Sequence, residues 1–415
     1  MNARVFLPIV VATIVNAFTL SGLEVEVTAE AAVLMDAQTG QMLFEKEPEE
    51  IFFPASICKV ATALCVLEAC DDLGQVTTAP REAVVAISTE EKKKQSYRAP
   101  SHWLEFNSSH VGIKKGEQLT VETLLYGLML QSGNDAANVL AHHVDGDIPA
   151  FVDRINQRVE ELGCRHTHFT NPHGLHHPEH VTCARDMALI TAAALKDGRF
   201  RKIVGATSYH KPASNLQPAT LWMQKNKLVR KGKHYYPKAI GVKTGFTQDA
   251  RGTLISAAED GERTLVAVVL RCDPYSNAYK DATALFEAAF NEQPEAHVVL
   301  HAGRQPFARG RVRTVLAADL LVETLPSKKI VPQVRVEWGE VEPPIARGSV
   351  VGEVIVDNGR GSELARAPLL ARRSVSKSIA AEIPLLVSSW PGSIKGCLMG
   401  GSLVVLVGLL LKRRK

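Results

Sequence analysis

The sequence predicts an α+β domain, then a small all-β domain, with an apolar segment at each end of the chain. Helix-type and strand-type patterns are mixed over residues 25–292, and both ends of that region contribute strands. From Gln293 onward, short strand-like runs alternate with turns up to residue 386. The length of 415 residues suits two to three domains.

The first 24 residues are expected to be a secretory signal peptide. Arg4 precedes an almost wholly apolar run over residues 5–20, which is the order of charge and apolarity that such signals have. Cleavage is expected among residues 20–31. An uncleaved anchor helix is the alternative, and both interpretations export the body of the chain.

The other end of the chain predicts a membrane anchor. Residues 387–395 form a juxtamembrane linker, and residues 396–411 carry no charge. As a helix they would span about 24 Å, somewhat less than a bilayer core of about 30 Å. The cations of residues 412–415 should lie in the cytoplasm. We therefore expect a single-pass protein of the inner membrane, with the body of the chain in the periplasm or otherwise outside the cytoplasm and the C-terminus in the cytoplasm.

The net charge of +4 comes from 48 Lys+Arg against 44 Asp+Glu. Four of those cations are the last four residues, so the rest of the chain balances at zero. A nucleic-acid-binding domain typically has a pI above about 9 and clustered bases. We therefore expect no nucleic-acid partner. The hydrophobic fraction of 46% excludes a disordered chain.

Apolar periodicity predicts individual elements within residues 25–292. A hairpin is predicted at residues 31–44, and residues 89–107 are expected to be a solvated insertion. Helices are predicted over residues 59–70, 121–142 with a break at 131–134, 151–162, 184–195 and 278–290. Strands are predicted over residues 239–243, 252–257 and 264–270.

Cysteines and histidines indicate neither a metal nor another cofactor. Six of the seven cysteines precede the predicted anchor, and an even number in an oxidising compartment permits disulfides without assigning them. The histidines of residues 173–180 lie in a Pro/Gly-containing loop without the helical spacing of a metal site.

Three short motifs follow one another along the chain: S-I-C-K at residues 56–59, S-G-N at residues 132–134, and K-T-G at residues 243–245. Each motif alone is weak evidence for a function. Ser56 and Lys59 are three residues apart, so a helix places them on one face. Lys59 could take the hydroxyl proton of Ser56 only when neutral, and both burial and nearby Lys243 would disfavour its charge. An N-capping serine followed by a solvated lysine is the alternative.

The other two motifs supply partners for such a nucleophile. Ser132 could relay a proton to a leaving amine, and Asn134 could hold a substrate amide or Lys59; a capped helix break is the alternative. Gly245 would allow close approach of a ligand to the strand, with which an extended substrate could pair. Lys243 and Thr244 would meet an anionic group such as a carboxylate, although an ordinary strand end has the same pattern.

At these residues the chain resembles the serine-type D-alanyl-D-alanine carboxypeptidases, the low-molecular-mass penicillin-binding proteins, which carry this motif set. The flanking sequences LQSGNDAA (130–137), NPHGL (171–175), ARDMAL (184–189) and KNKL (225–228) are also similar. The resemblance implies a β-lactamase/transpeptidase-like catalytic domain over residues 25–292 and a β-rich domain over residues 293–386.

The resemblance also implies roles for the motif residues. Ser56 would be acylated, Lys59 would be the general base, and Ser132 and Asn134 would shuttle protons and orient groups. The remaining implied contacts are the substrate carboxylate at Lys243 and Thr244, and an oxyanion hole made by the amides of Ser56 and Phe246.

Three positions depart from the family. Phe246 stands where the family often has histidine, which matters little for a backbone donor. Lys225, and Ala278 with nearby Lys280, stand where the family often has arginines, so the secondary carboxylate contacts are open.

The implied function is removal of the terminal D-alanine from peptidoglycan stem pentapeptides, with β-lactams as covalent inhibitors. A DD-endopeptidase acting on cross-links is one alternative. A non-catalytic penicillin-binding module that recruits wall-synthesis partners is another. A β-lactamase is disfavoured, because no convincing Glu-x-x-Leu-Asn element is present.

Overall fold

The computed structural model describes residues 23–261, 263–327, 330–339, 341–359 and 361–377. The described chain divides into two units, one of residues 23–293 with 325–327, the other of residues 294–324 with 330–377. The predicted linker and anchor, and residues 1–22 of the predicted signal peptide, lie outside the described residues.

The first unit contains both strands and helices, which confirms the α+β prediction. Its strands are β1 (Ala31–Asp36), β2 (Met42–Lys46), β3 (Val76–Thr78), β4 (Ala86–Ile87), β5 (Leu104–Glu105), β6 (Gln118–Thr120), β7 (Ser208–Lys211), β8 (Thr220–Met223), β9 (Ala239–Thr247), β10 (Arg251–Asp260) and β11 (Arg263–Cys272). Its helices are α1 (Lys59–Ala69), α2 (Thr89–Lys94), α3 (Val121–Leu130), α4 (Asn134–Asp145), α5 (Ile148–Glu161), α6 (Ala184–Ala194), α7 (Gly198–Gly205) and α8 (Asn277–Phe290).

The main sheet has the antiparallel order β2-β1-β11-β10-β9. Successive side chains of a strand point to opposite faces, and here both faces are covered. Val33 and Val268 pack on one side in a core shared with α1 and α3–α7. Leu34 and Val269 pack on the other side against α8. Burial on both faces explains why β1 is apolar throughout most of its length rather than alternating.

Three parts of this unit meet at the motif residues. A 3-10 turn (Ala55–Cys58) leads into α1, the junction of α3 and α4 lies beside it, and β9 forms the edge of the sheet. The side chain of Thr120 caps α3, and Gly146, with φ of +71°, ends α4 in the left-handed region. These caps fix the outer ends of the two helices. Between them, α3 ends at Leu130 and α4 begins at Asn134, which confirms the break predicted at residues 131–134.

Several predicted bounds were wrong. The third motif does not end a strand, because β9 continues through it to Thr247. Helix α5 starts at Ile148, where Asp147 caps it. The predicted solvated insertion contains α2, whose Lys92 is buried against Glu105. The run of charged residues predicted exposed side chains throughout, but one of its lysines is buried in the structure.

The second unit contains only strands among its described residues. They are β12 (Glu295–Leu300), β13 (Gly303–Arg309), β14 (Val312–Leu316), β15 (Leu320–Thr324), β16 (Gln333–Trp338), β17 (Val350–Asp357) and β18 (Glu363–Ala371). A sheet of order β13-β14-β18-β17-β16 and the β12-β15 pair surround an apolar core that includes Phe307, Leu320 and Val354.

No helix in the described ranges has the length and apolarity needed to cross a membrane. The six described cysteines are buried free thiols rather than disulfides, and burial raises the pKa of each.

Candidate active site

Ser56 sits on the 3-10 turn that precedes α1, with its backbone held by the sheet. Thr253 of β10 donates a hydrogen bond to the carbonyl of Pro54 at 3.1 Å. Ala55 has φ of +50°, a left-handed conformation that costs an L-residue roughly 1–2 kcal/mol. Such strain is found at sites where the surrounding structure fixes an unusual geometry. Here it positions the serine at the sheet edge.

Gly245 of β9 lies directly against this turn. A Cβ at position 245 would lie 3.0 Å from the Ser56 amide nitrogen and 2.4 Å from Thr253 Oγ1. Real Cβ atoms do not approach so closely, so only glycine lets the edge strand reach the serine backbone. The structure thus brings the first and third motifs into contact.

Lys59 is fully buried and lies within hydrogen-bonding distance of three oxygens. Its Nζ is 3.0 Å from Ser56 Oγ and 2.7 Å from Asn134 Oδ1, and it also donates to the carbonyl of His173. Burial, helped by the charge of Lys225, lowers the pKa of Lys59 to about 7. A neutral amine has two N–H donors and one lone pair. Asn134 and His173 can accept the two donors, which leaves the lone pair for the Ser56 hydroxyl proton.

Ser132 and Asn134 occupy the junction of α3 and α4. Ser132 is buried and has φ of +63°, so the chain turns sharply there before α4 begins at Asn134. The Asn134 amide Nδ2 donates to Ser108 Oγ at 3.0 Å, and its backbone N–H donates to the Ser109 carbonyl at 2.8 Å. These contacts aim Asn134 Oδ1 at Lys59.

Lys243 is the second buried lysine of the site. Its Nζ donates to the carbonyl of Thr244 at 2.8 Å. Burial, together with the charges of Lys59 and Lys225, holds its pKa well below the usual range. Thr244 is buried too, whereas the Phe246 ring is exposed and lies 6.1 Å from the Tyr275 ring, edge to face.

The Asn171–Leu175 loop supplies a contact that the sequence did not assign. His173 is fully buried; its Nδ1 accepts from the Leu175 amide at 3.2 Å, so its Nε2 carries the proton and donates to the His102 carbonyl. Gly174 has φ of +91°, and a Cβ there would lie 2.0 Å from the Ala55 carbonyl oxygen. The N-P-x-G sequence indicates a turn, but not that its carbonyl accepts from Lys59.

A buried carboxylate fixes the loop that carries Ser108 and Ser109. Asp135 follows Asn134, and its oxygens accept from the amides of Val111, Gly112 and Ile113 at 2.8–3.1 Å. Asp135 therefore positions the loop rather than taking part in proton transfer. In the sequence, the only indication of this positioning role is that an aspartate directly follows the second motif.

Of the two lysines at or near the family's arginine positions, the structure brings Lys225 to the site. Its Nζ donates to the carbonyl of Gln131, next to Ser132, at 2.6 Å, and its charge acts on both Lys59 and Lys243. Lys280 is exposed on α8 and donates to Asn277, while Ala278 is buried.

A serine hydroxyl beside a buried lysine of lowered pKa, at a sheet edge lined by a second lysine, is the apparatus of a serine–lysine acyl-transfer enzyme. A family model described as D-alanyl-D-alanine carboxypeptidase matches residues 17–273. The chain belongs to this family.

Individual relatives agree with the family. The chain is 27% identical to D-alanyl-D-alanine carboxypeptidase DacF of Bacillus subtilis, over 84% of this chain and 86% of that one. Among solved structures it is similar to penicillin-binding protein 5 of Haemophilus influenzae, with 25% identity, a TM-score of 0.58, and coverage of 85% and 99%. It is also similar to the Streptomyces K15 DD-transpeptidase, with 26% identity, a TM-score of 0.55, and coverage of 64% and 98%.

Proposed function

We propose that the protein is a penicillin-sensitive DD-carboxypeptidase that removes the terminal D-alanine from peptidoglycan stem pentapeptides. The observation that carries the proposal is the 3.0 Å separation of Lys59 Nζ from Ser56 Oγ, with Lys59 buried and its pKa lowered to about 7. The family and the curated relatives named above support the choice of substrate.

Acylation begins when Ser56 Oγ attacks the carbonyl carbon of the penultimate D-alanine and its proton passes to the lone pair of Lys59. The amides of Ser56 and Phe246 stabilise the oxyanion. The C–N bond then breaks, and the leaving amine takes a proton from Lys59 through the Ser132 hydroxyl. The products are a Ser56 ester and free D-alanine.

Deacylation uses the same groups. Lys59, again neutral, takes a proton from a water molecule that attacks the ester carbonyl. The C–O bond to Ser56 breaks, and Oγ recovers its proton from Lys59. A β-lactam also acylates Ser56: Oγ attacks the lactam carbonyl, the lactam C–N bond breaks and the freed nitrogen takes the proton. Slow hydrolysis of the resulting ester makes the β-lactam an inhibitor.

The substrate carboxylate binds at Lys243 and Thr244, with Lys225 as a further cation beside the site. Lys243 is buried with no carboxylate partner among the described residues, and an incoming anion would stabilise its protonated form. The extended peptide pairs with the free edge of β9, whose sole neighbour in the described sheet is β10.

We further propose that the enzyme is exported and anchored in the inner membrane by residues 396–411, on the sequence pattern alone. The contacts of Thr28 and Ala29, whose amides donate to Asp281 of α8, suit a mature chain that retains these two residues.

Labelling with fluorescent penicillin tests the nucleophile. We expect labelling of wild type and of Ser362→Ala, an exposed serine in the second unit, and none of Ser56→Ala. Labelling that survives in Ser56→Ala would refute the assignment. An unlabelled but folded wild type would instead favour a binding module.

Chromatography of digests of synthetic pentapeptide and of cross-linked muropeptides tests the reaction. Release of D-alanine from the pentapeptide supports the carboxypeptidase. Cleavage confined to cross-links would make the protein an endopeptidase, and exchange of the terminal residue for an added amino acid would make it a transpeptidase.

A further inference from the structure

The charge of the first unit is distributed unevenly along the chain. Residues 198–248 contain eleven Lys and Arg and no Asp or Glu, although the chain without its last four residues balances at zero. A segment with this imbalance must find its counterions elsewhere in the fold or in a ligand.

Five of these cations form ion pairs with carboxylates from other parts of the chain. The pairs are Arg199–Asp197, Arg201–Glu259, Lys202–Glu122, Lys211–Glu117 and Lys238–Asp260. The other six have no carboxylate within ion-pair distance among the described residues, and all lie between residues 225 and 243. Lys225 and Lys243 belong to the catalytic site. The four other cations without a carboxylate partner in the described chain are Lys227, Arg230, Lys231 and Lys233, of which Arg230 donates to the Gln224 carbonyl at 3.0 Å.

These four residues are exposed and, with Lys280 of α8, define what we call the lysine rim. Three members of the rim lie close to His234. Burial lowers the pKa of His234, and the charges of Lys227, Lys233 and Lys280 lower it further, so these lysines are near one another in space. A hydrogen bond with the backbone of Lys227 also joins the segment to Tyr279 of α8.

The rim lies alongside the catalytic groove. A series of ring contacts leads from the third motif to it: Phe246 to Tyr275 at 6.1 Å, Tyr275 to Tyr279 at 5.6 Å, and Tyr279 to His234 at 5.0 Å. Lys225 also connects the rim with the second motif. It lies two residues before Lys227, and its Nζ donates to the carbonyl of Gln131, next to Ser132. An extended five-residue peptide spans about 17 Å, which is comparable to the length of this series of ring contacts from Phe246 to His234.

We propose that the lysine rim binds carboxylates of neighbouring stem peptides in polymeric peptidoglycan, and so selects wall polymer over isolated stems. This inference rests on the proposed function. A soluble stem has one terminal carboxylate, which Lys243 and Thr244 engage, whereas a polymer presents many carboxylates near each cleavage point. Clustered exposed cations next to a site raise the local concentration of a polyanion in a salt-dependent way.

The test compares two triple variants of the full-length protein in detergent. Lys227→Gln/Lys231→Gln/Lys233→Gln removes rim charge. Lys94→Gln/Lys115→Gln/Lys196→Gln removes the same charge from dispersed exposed positions. The measurements are D-alanine release from soluble pentapeptide and from purified insoluble wall, each at low and high salt.

We expect the rim variant to lose about tenfold in kcat/KM on wall at low salt, as for a polyanion that loses several cationic contacts. Its rate on the soluble pentapeptide should stay within about twofold, and added salt should reduce the wild-type rate on wall more than the variant's. An equal loss in both triple variants, or a salt-insensitive wild type, would overturn the proposal. Because the soluble substrate is measured in parallel, failure of the proposed function would be seen separately.

Co-sedimentation of penicillin-acylated protein with wall then identifies the ligand chemistry. Binding should survive removal of phosphate polymers from the wall and should fall when the wall carboxylates are amidated. Binding that survives amidation but is lost with the phosphate polymers would overturn the carboxylate assignment.

Discussion

Four lysines of the first unit are buried, and they fall into two groups that differ in the atoms their amines contact. Lys92 lies 3.2 Å from Glu105, and Lys211 lies 3.6 Å from Glu117. Lys59 and Lys243, equally buried, face only neutral oxygens among the described residues.

A buried ammonium that lacks a counterion is expected to lose its proton, whereas a paired one keeps it. Burial lowers the pKa of Lys92 as well, but the carboxylate of Glu105 opposes that shift. Burial alone therefore does not identify a catalytic lysine. The absence of a carboxylate partner among the described residues distinguishes Lys59 and Lys243, because it leaves each amine able to accept a proton or to bind an incoming carboxylate.

Replacing Lys59 should have the largest effect on activity. We expect Lys59→Met to lower the rate of acylation by penicillin about 10³-fold, since a general base contributes about 10²–10⁴-fold. Lys92→Met should stay within a few-fold of wild type. Stopped-flow acylation measures both, and thermal unfolding checks that Lys59→Met is folded. Similar losses in the two variants would mean that burial, not the missing carboxylate, sets the role.

Replacing Lys92 should have the larger effect on stability. Lys92→Met leaves Glu105 nearly buried without its cation and should lower the free energy of unfolding by about 3 kcal/mol. The double variant Lys92→Met/Glu105→Gln should recover part of that loss, because the unpaired charge is gone. Urea unfolding measures both. A double variant less stable than the single one would contradict the ion-pair explanation.

Substitutions at two glycines test whether the Asn171–Leu175 loop holds the His173 carbonyl in place as an acceptor for Lys59. Gly174→Ala would push a Cβ into the Ala55 carbonyl, displacing the loop whose His173 carbonyl accepts from Lys59. Gly163 has a similar φ of +84°, and a Cβ there would meet nothing within 4 Å, so Gly163→Ala isolates the backbone cost. We expect Gly174→Ala to be about 2 kcal/mol less stable than Gly163→Ala, with slower acylation. Equal stabilities would show that the loop shifts freely.

The pH dependence of acylation tests the protonation state of Lys59 without any substitution. Because the pKa of Lys59 is lowered to about 7, the amine is protonated and inactive as a base below that pH. Acylation should rise about tenfold per pH unit up to about pH 7 and then level off. Lys92→Met should keep the same midpoint. A rate that is flat from about pH 5 to 9 would show that Lys59 is not the titrating base.

The motif residues could be predicted because their pairing is local or because their order along the chain is distinctive. Ser56 and Lys59 are three residues apart, and a helical turn brings them together whatever surrounds it. The acceptors of Lys59 are different. Asn134 and His173 lie 75 and 114 residues away, and for His173 the group involved is a carbonyl that every residue carries.

The charge pattern shows the same limit. A solvated insertion was predicted for residues 89–107, yet Lys92 is internal because Glu105 meets it across a loop. Nothing in the run of three lysines distinguishes Lys92 from Lys93 and Lys94. The eleven cations of residues 198–248 also look alike in sequence, and packing decides which five find carboxylates.

The sequence by itself determined the order of the three motifs and the pairing of Ser56 with Lys59, because these depend on residue identity and helical spacing. Only the tertiary structure decided the protonation of Lys59. That property depends on desolvation and on the oxygens within reach, and segments distant in the chain supply both when the sheet, α1 and the Asn171–Leu175 loop pack together.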